Sequence, residues 1–444
     1  MPEKSTSTGV VAPAAGRAAL LVIFLTVFID LLGFGIVLPV MPRQAEVYLA
    51  ALGATPVMTG VTIGVLFSVF SLMQFLFSPV WGRLSDRWGR RPLLLLSLAG
   101  SVVFYAVYAL AVTLPPQRAK AALALMLLSR VGAGIAGASV GTAAAVIADC
   151  TTPERRARGM ALIGIAFGAG FTLGPLIAYF GLAVFDRQPW GVGALASLLS
   201  AVALAIAVTV FRETRRADSR AAREWFSFTR TAAVLRQPAV GTLVLVYFLA
   251  IFSFANFEST LARLTREAFG MTDDGNFLVF AAIGMVLLVA GGCYRPLART
   301  LPETRLLSIG VAGMIVGLGT IGIVAWRVAQ ATGTAGRGPL VAFWIGAALA
   351  VAGFAFVNPS VSALVSRRAD PVRQGEVLGV NQSFASLGRI LGPLAGSLLF
   401  SLDRAHALPF VAAVATLVVV ALLVTRLPSG LADPVAAADG GAGT

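Results

Sequence analysis

Lysine is nearly missing from this chain of 444 residues: Lys4 and Lys120 stand alone among 34 basic side chains. Neither follows the glycine spacing of a phosphate-binding loop, in which a lysine reaches the terminal phosphates, so ATP hydrolysis of that kind is excluded. Histidine occurs once, as His406. One imidazole cannot make the helical histidine pair of a zinc protease, and its place far along the chain gives no serine and acid partners for nucleophilic catalysis. We read it as a solvated loop residue before the last apolar run. Neither of the two cysteines, Cys150 and Cys293, has metal-ligand spacing, and both fall at helix ends on a side read as reducing, so no disulfide framework is expected. The inventory predicts no enzyme, with no catalytic residues, no metal site and no cofactor.

Charge is scarce as well. Only 12% of residues are charged, while 58% are hydrophobic and mean hydropathy is +0.87, against an apolar fraction of roughly 45–50% in soluble domains. Apolar runs long enough to cross a bilayer, about 20 residues each, fall at about 18–40, 59–81, 92–114, 121–147, 159–184, 190–211, 239–262, 276–294, 306–327, 339–364, 377–401 and 408–427. These runs are continuous rather than alternating, which excludes a membrane barrel. The fold class is therefore an all-α membrane protein with twelve transmembrane helices. The first run is read as a retained helix, because Asp30 interrupts it before any small-residue cleavage site.

A net charge of +14 would suggest nucleic acid in a soluble protein. Here its distribution gives another account. The tails and the loops on their side carry 23 basic residues, the opposite loops carry 9, and Arg130 and Arg389 lie inside runs. Both termini are thus expected in the cytoplasm and the chain in the cell membrane, with the bilayer as its surroundings and no nucleic-acid partner.

The longest polar stretch, Arg212 to Pro238, holds seven arginines and splits the runs six and six. We divide the chain into a tail (1–17), a first six-helix bundle (18–211), a linker (212–238), a second bundle (239–427) and a closing tail (428–444). A shift of 218 positions superposes Arg155 on Arg373, Gly170 on Gly388, Leu173 on Leu391 and Gly174-Pro175 on Gly392-Pro393. Two like halves, each with an even number of helices, are related by an axis along the membrane normal, and the substrate path runs between them near the midplane.

Between the second and third runs sits an island of charge, Gly82-Arg83-Leu84-Ser85-Asp86-Arg87-Trp88-Gly89-Arg90-Arg91. We read it as a tight loop at a water-facing surface, with glycines at both ends permitting a turn. Its order of glycines, acid and paired arginines resembles the loop between helices 2 and 3 of the major facilitator superfamily. The counterpart in the second half, Leu297 to Arg305, places Arg299 where Asp86 stands. A latch of unequal strength is expected, formed by Gly82, Asp86, Arg87, Gly89, Arg90 and Arg91 with Asp149 and Arg299, and closing the cytoplasmic side against the loop charges Glu154, Arg155, Arg156 and Arg158 and their counterparts Arg367, Arg368, Asp370, Arg373 and Glu376.

Asp30 lies about twelve residues into the first run, some 18 Å deep. An ionised carboxylate there needs pairing, hydration or a proton. Arg130 reaches a comparable depth in the fourth run, and we expect the two to pair, so that protonation of the acid releases the arginine; a static pair that only fixes packing is the competing reading. Asp30 to Pro42 and Arg130 to Ala138, with their glycine and proline spacing, resemble the twelve-helix drug:proton antiporters of that superfamily, typified by tetracycline-resistance exporters. In the fifth run Gly164, Gly168, Gly170 and Gly174-Pro175 are similar to the antiporter signature, although Ala178-Tyr179 replaces its closing glycine pair. The resemblance spans about residues 18–427 and implies proton transfer at Arg130.

Small residues permit close helix approach and proline permits bending, so Gly170, Gly174 and Pro175, with Gly388, Gly392 and Pro393 in the eleventh run, are expected to form bending helices at the interface of the halves. Glu258 in the seventh run is a second proton carrier or a counter-charge for a cationic substrate. Arg389 is its partner by sign, although the run boundaries set the two about 10 Å apart in depth. Gln74, Asn256, Asn358, Asn381 and Gln382, beside Phe34, Phe67, Phe254 and Phe257, could line a mixed pocket for an amphipathic organic molecule. The expected function is proton-driven efflux of a small organic compound by alternating access in a single chain. Alternatives of the same fold are a nutrient importer or uniporter and a lipid-type flippase; a non-transporting membrane sensor is a third.

Overall fold

In hydrocarbon a backbone must satisfy its own hydrogen bonds, so continuous apolar runs become helices. The computed structural model describes residues 13–150, 153–214, 228–331, 336–368 and 374–426, and the described residues are almost wholly helical with no strand. The side chains of Asp30, Phe34, Asp149, Glu154, Arg155, Arg156, Arg158 and Glu376, and residues Asp370 and Arg373, lie outside the described set.

The first bundle comprises α1 (Pro13–Val37), α2 (Met41–Ala51), α3 (Pro56–Trp88), α4 (Arg90–Thr113), α5 (Ala119–Ala136), α6 (Val140–Cys150), α7 (Pro153–Gly181) and α8 (Trp190–Val210). After a short α9 (Phe228–Leu235), the second bundle comprises α10 (Pro238–Phe269), α11 (Asp273–Leu297), α12 (Glu303–Gln330), α13 (Arg337–Arg368), α14 (Gln374–Leu402) and α15 (Leu408–Thr425). Among the described residues twelve helices are long and apolar enough to span a membrane, α5 and α6 together making the fourth. Val103, Leu110, Val202, Ile323 and Leu422 are half exposed, as befits surfaces that meet lipid. We call the end where α1 begins and α15 ends the terminal face, and the opposite end the distal face.

The fourth span breaks. A single 3₁₀ turn, Gly137–Ser139, separates α5 from α6, and its looser ladder leaves carbonyls that need donors. Three side chains supply them: Trp81 Nε1 donates to the carbonyl of Ile135 (2.6 Å), Ser97 Oγ to Ala136 (2.8 Å) and Gln74 Nε2 to Gly137 (3.1 Å). Gln74 is therefore committed to the helix break, contrary to its expected place in a substrate pocket.

The charge island is less of a loop than its glycines suggest. α3 continues through Asp86 and Arg87 to Trp88 and α4 starts at Arg90, so Gly89 alone is non-helical. Its φ of +104° is open to glycine and strained for other residues. A carboxylate from the start of the linker fills the space a side chain would take: Glu213 accepts from the backbone N–H of Arg90 (2.9 Å) and of Arg91 (3.1 Å), capping α4. Arg91 in turn donates to the carbonyl of Val208 (2.9 Å), tying the motif to the end of α8.

Within each bundle the glycine stripes pack on a neighbour of the same half. A Cβ on Gly170 or Gly174 would lie 2.7 or 2.8 Å from the carbonyl oxygens of Phe28 and Leu32 in α1; on Gly388 or Gly392 it would meet those of Phe248 and Phe252 in α10 at 2.9 and 2.7 Å. The bare faces of α7 and α14 thus serve α1 and α10 of their own halves. Both helices run unbroken through Pro175 and Pro393. The bundles meet along α3 against α14 and α7 against α11, so both glycine-bearing helices also stand at the interface of the halves. There Gly60 lies against Ser397 and Leu398, Gly64 against Leu394, and Gly284 against Thr172, while Ser68 Oγ donates to the carbonyl of Ile390 (2.5 Å).

Gly89→Ala should cost about 1–3 kcal/mol through its backbone conformation and more through collision with Glu213. Melting temperatures in detergent test the split: adding Glu213→Ala is expected to shrink the loss caused by Gly89→Ala, leaving the backbone part. Equal losses in both backgrounds would contradict this packing.

Candidate functional site

The distal face is held shut by charge. α2, an amphipathic helix that follows the first span, is fixed by Tyr48, whose hydroxyl points at the carbonyls of Ala111 (3.1 Å) and Leu114 (2.9 Å) at the end of α4. Burial holds the Tyr48 phenol above its ordinary range, so it stays a neutral donor. From this platform Glu46 reaches the second bundle: one carboxylate oxygen accepts from Arg263 Nε at 2.7 Å and the other from Arg266. Arg43 pairs with Asp273 at 2.6 Å, and Arg187 with Asp274. Among ion pairs joining two described residues across the bundles, all lie on this face.

These pairs differ in worth. The Arg263 side chain is only 6% exposed and Glu46 22%, whereas Arg43 and Arg187 are about half exposed. Exposed pairs contribute about 0–1 kcal/mol, but stripping the partner from a buried charge costs about 3–5 kcal/mol. Arg263 is further held by Ser401 Oγ (3.1 Å) and lies 4.4 Å over the Phe400 ring, a cation–π contact. Glu46 and Arg263 therefore dominate the seal. A cavity of about 180 Å³ sits in the seam beside them, lined by Arg43, Gln44, Arg187, Thr272, Asp273 and Asp274.

Deeper in the first bundle Arg130 is buried, its Nε donating to the carbonyl of Leu66 (3.3 Å) and its guanidinium 4.5 Å over the Phe70 ring. Gly33, one turn beyond Asp30 on α1, lies against the Tyr105 ring, and Tyr105 is electrostatically coupled to Arg130. The α1 backbone thus passes close to the arginine's surroundings.

In the second bundle, Tyr247 donates to Asn358 Oδ1 (2.7 Å) and Arg389 donates to Ser386 Oγ (3.1 Å). Gly388 meets α10 at Phe248 to Phe252 and Gly396 meets it at Asn256 to Ser259, which puts Arg389 level with Ile251. Glu258 lies seven residues nearer the distal face, about 10 Å at 1.5 Å per residue. The two attract each other but form no ion pair, and Glu258 has no ion-pair partner among the described residues.

The expected mixed pocket does not gather as a set. Asn256 donates to the Pro409 carbonyl (3.1 Å) and so faces α15; Phe257 and Phe67 are buried in the core; Phe254 stacks on Phe354 with centroids 3.9 Å apart; Asn381 is 3% exposed. Helical spacing keeps Phe254, Phe257 and Glu258 on one side of α10 and turns Asn256 to the other, toward α15. Asn358 and Arg389 remain beside Tyr247, with Glu258 apart from them, and Gln382 is exposed on α14. Sequence reasoning missed Tyr247, although it stands eleven residues before Glu258, three helical turns along α10.

At the terminal face Asp86 pairs with Arg90 of its own motif (2.5 Å), and that same arginine also donates to Ser85 Oγ (2.6 Å). Gly82 is buried, Arg87 is exposed, and Arg299 is exposed in the turn between α11 and α12. Among pairs of described residues, those that join the bundles lie at the opposite end from the latch the motif suggested, whose expected loop partners lie outside the described set. His406 is also misread by sequence: its side chain is 25% exposed and is ion-paired with Glu267 of α10.

Two six-helix bundles meeting along a seam, with ionisable groups in mid-span, define a secondary-transporter fold. The family model described as Major Facilitator Superfamily matches residues 23–332. Over 440 residues the chain is 31% identical to mouse major facilitator superfamily domain-containing protein 10, covering 89% of this chain and 90% of that protein. It is 27% identical over 386 residues to the class E tetracycline resistance protein of Escherichia coli, with 85% and 87% covered. The crystal structure of the human organic anion transporter MFSD10 (TETRAN) superposes with a TM-score of 0.64 at 28% identity, over 92% of this chain and 99% of that one. The chain belongs to the major facilitator superfamily and is a multi-pass membrane transporter.

Glu46→Ala should unseat the distal seal, because it leaves Arg263 shielded and without its acid. In a background of Cys150→Ser and Cys293→Ser, labelling of Gln44→Cys in the seam cavity is expected to rise by more than about tenfold, about 1.4 kcal/mol. Arg43→Ala, removing a half-exposed pair, should change it less than about fivefold.

Proposed function

We propose that this protein exports a small amphipathic organic compound from the cytoplasm in exchange for protons, by alternating access of its two bundles, with both termini cytoplasmic in the cell membrane. The observation that carries this reading is the pairing of a distal seam sealed by ion pairs with ionisable residues held at depth in both halves, Arg130 in the first and Glu258 and Arg389 in the second. A shut distal face is what an inward-facing stage of such a cycle requires.

Buried ionisable groups in mid-span are costly and are retained where they carry protons or substrate. Asp30 is the proton carrier in this reading, since its exchange between proton and arginine couples occupancy to helix position. Arg389, with Tyr247 and Asn358 beside it, supplies a cation and neutral hydrogen-bonding groups, which suits an anionic or amphoteric head on an apolar body. The two kinds of relative, an organic anion transporter and tetracycline exporters, support that breadth of substrate without choosing within it. Glu258, two turns nearer the distal face, is free to take a proton or to face a cationic group.

Reconstitution into proteoliposomes tests the proposal. An imposed proton gradient should drive accumulation of an amphipathic organic anion or of tetracycline, and Asp30→Asn should abolish that coupling while the purified protein keeps its melting temperature. Undiminished gradient-driven flux in Asp30→Asn would overturn the assignment of the proton carrier; flux in the reverse sense would favour an importer. Glu258→Gln should weaken cationic substrates by about tenfold and leave anions within a factor of two, as expected of losing one charge-assisted contact of about 1.5 kcal/mol.

A further inference from the structure

The lone histidine sits behind the arginines of the distal seal. His406 lies in the turn between α14 and α15, its ring stacked on Phe400 with centroids 4.1 Å apart and planes 10° apart. Arg263 lies 4.4 Å from the centroid of that same ring. Both stacking distances are those of direct contact, so the phenylalanine carries the imidazole on one face and the guanidinium on the other. Nδ1 of His406 is 2.9 Å from the carbonyl oxygen of Phe400, and Nε2 is ion-paired with the Glu267 carboxylate.

Both ring nitrogens therefore face acceptors. A neutral imidazole carries a single N–H and can serve only one of them, whereas the imidazolium serves both. The charged groups around the ring come from every element packed on it. α10 contributes Glu267, Arg263 and Arg266, and the turn contributes Asp403, whose carboxylate is occupied in capping α15 through the N–H groups of Ala405, Ala407 and Leu408. α2 contributes Glu46 beyond the arginines. Burial pulls the imidazole down, but the hydrogen bond and charge of Glu267 outweigh it and hold His406 above the ordinary histidine range.

We propose that His406 is a proton-operated positioning residue for the distal seal: as imidazolium it occupies Glu267 and so leaves Arg263 and Arg266 to Glu46 of the other bundle. Glu267 is already 4.0 Å from Arg266. Once His406 loses its proton, Glu267 competes with Glu46 for the two arginines, and the contact between bundles weakens. When the face opens and Glu46 withdraws, the arginines turn to Glu267 and the histidine is held less firmly in its charged form. Proton binding therefore favours the closed distal face, and this preference is complete below the ordinary histidine value of about 6.5 and is lost as pH rises through the raised value.

The inference rests on the alternating-access reading, and one measurement separates the two. Spin labels at Val47→Cys on α2 and Leu278→Cys on α11, both exposed, report the distance across the seam in nanodiscs once Cys150 and Cys293 are replaced by alanine. From pH 5.5 to 8.5 the wild-type ratio of short to long distances should fall, by about tenfold for each unit by which the histidine's affinity for its proton differs between the two states. His406→Gln should lose that titration step, and His406→Arg should keep the acid-type ratio throughout. If His406→Gln titrates like the wild type, if His406→Arg behaves like His406→Gln, or if the wild-type ratio does not move, the proposal falls. Should His406→Gln fail to fold, Glu267→Gln takes its place: a flat profile supports the proposal and a wild-type profile overturns it. A single distance under all conditions, with or without substrate, would instead bring down alternating access itself.

Discussion

A guanidinium taken out of water must be paired, and Arg263 is the place where that demand binds one half of this molecule to the other. Its own bundle supplies a hydroxyl from Ser401 and the face of Phe400, but the carboxylate it needs comes from Glu46 on α2 of the opposite bundle. The distal seam therefore has two acceptable conditions. Either it is shut, with Arg263 dry and paired, or it is open, with Arg263 hydrated; a half-open seam leaves a desolvated charge without its acid and is the costly one. A two-state seal follows from one residue's solvation. The anchoring of α2 by Tyr48 matters for the same reason, because a mobile α2 would let Glu46 follow Arg263 part of the way.

The scaffold and the charges obey different rules. α7 on α1 and α14 on α10 repeat each other, glycine for glycine at an offset of 218, because close backbone approach is the chief means of packing helices where lipid competes on equal terms with side chains. The ionisable residues inside the spans do not repeat. Asp30 corresponds to Phe248, Glu258 to Val40, Arg389 to Phe171 and Arg130 to Ala348. On two like scaffolds, the asymmetric charges give the halves distinct tasks. In this structure the first half offers a buried arginine close to α1, and the second offers a separated acid and base that attract without joining.

Features carried by composition and period were legible in the sequence. The twelve spans, the two bundles and the 10 Å offset of Glu258 from Arg389 all follow from apolar run length and a rise of 1.5 Å per residue. Features that depend on a partner distant in sequence were not. Gln74 and Asn256 read as pocket residues because an amide in an apolar run invites that reading, and only tertiary contact shows one serving the 3₁₀ break and the other α15. Arg263, Arg266, Arg43 and Arg187 were counted with the basic residues of the opposite side, as marks of topology. Nothing within a few residues of them reveals that their acids are 217, 220, 230 and 87 positions away. His406 was misread by the same logic, since a turn between helices is a solvated place unless another helix end covers it.

The strength of the distal seal bears on what can open it. Two of its ion-pair groups are half exposed and contribute about 0–1 kcal/mol each, so most of the holding free energy sits in the shielded contact of Glu46 with Arg263, a few kcal/mol at most. Moving one elementary charge across a membrane potential of 100 mV supplies about 2.3 kcal/mol. The two quantities are of one order. A much stronger seal could not be opened by the transfer of a proton or two, and a much weaker one would leak between strokes. The placement of a second acid, Glu267, 4.0 Å from Arg266 fits that requirement, because its competition with Glu46 lowers the worth of the seal. The distal face is thus built to yield to a change of a single charge, and the glycine-lined seam of α3 and α14 lets the bundles close again without side chains in the way.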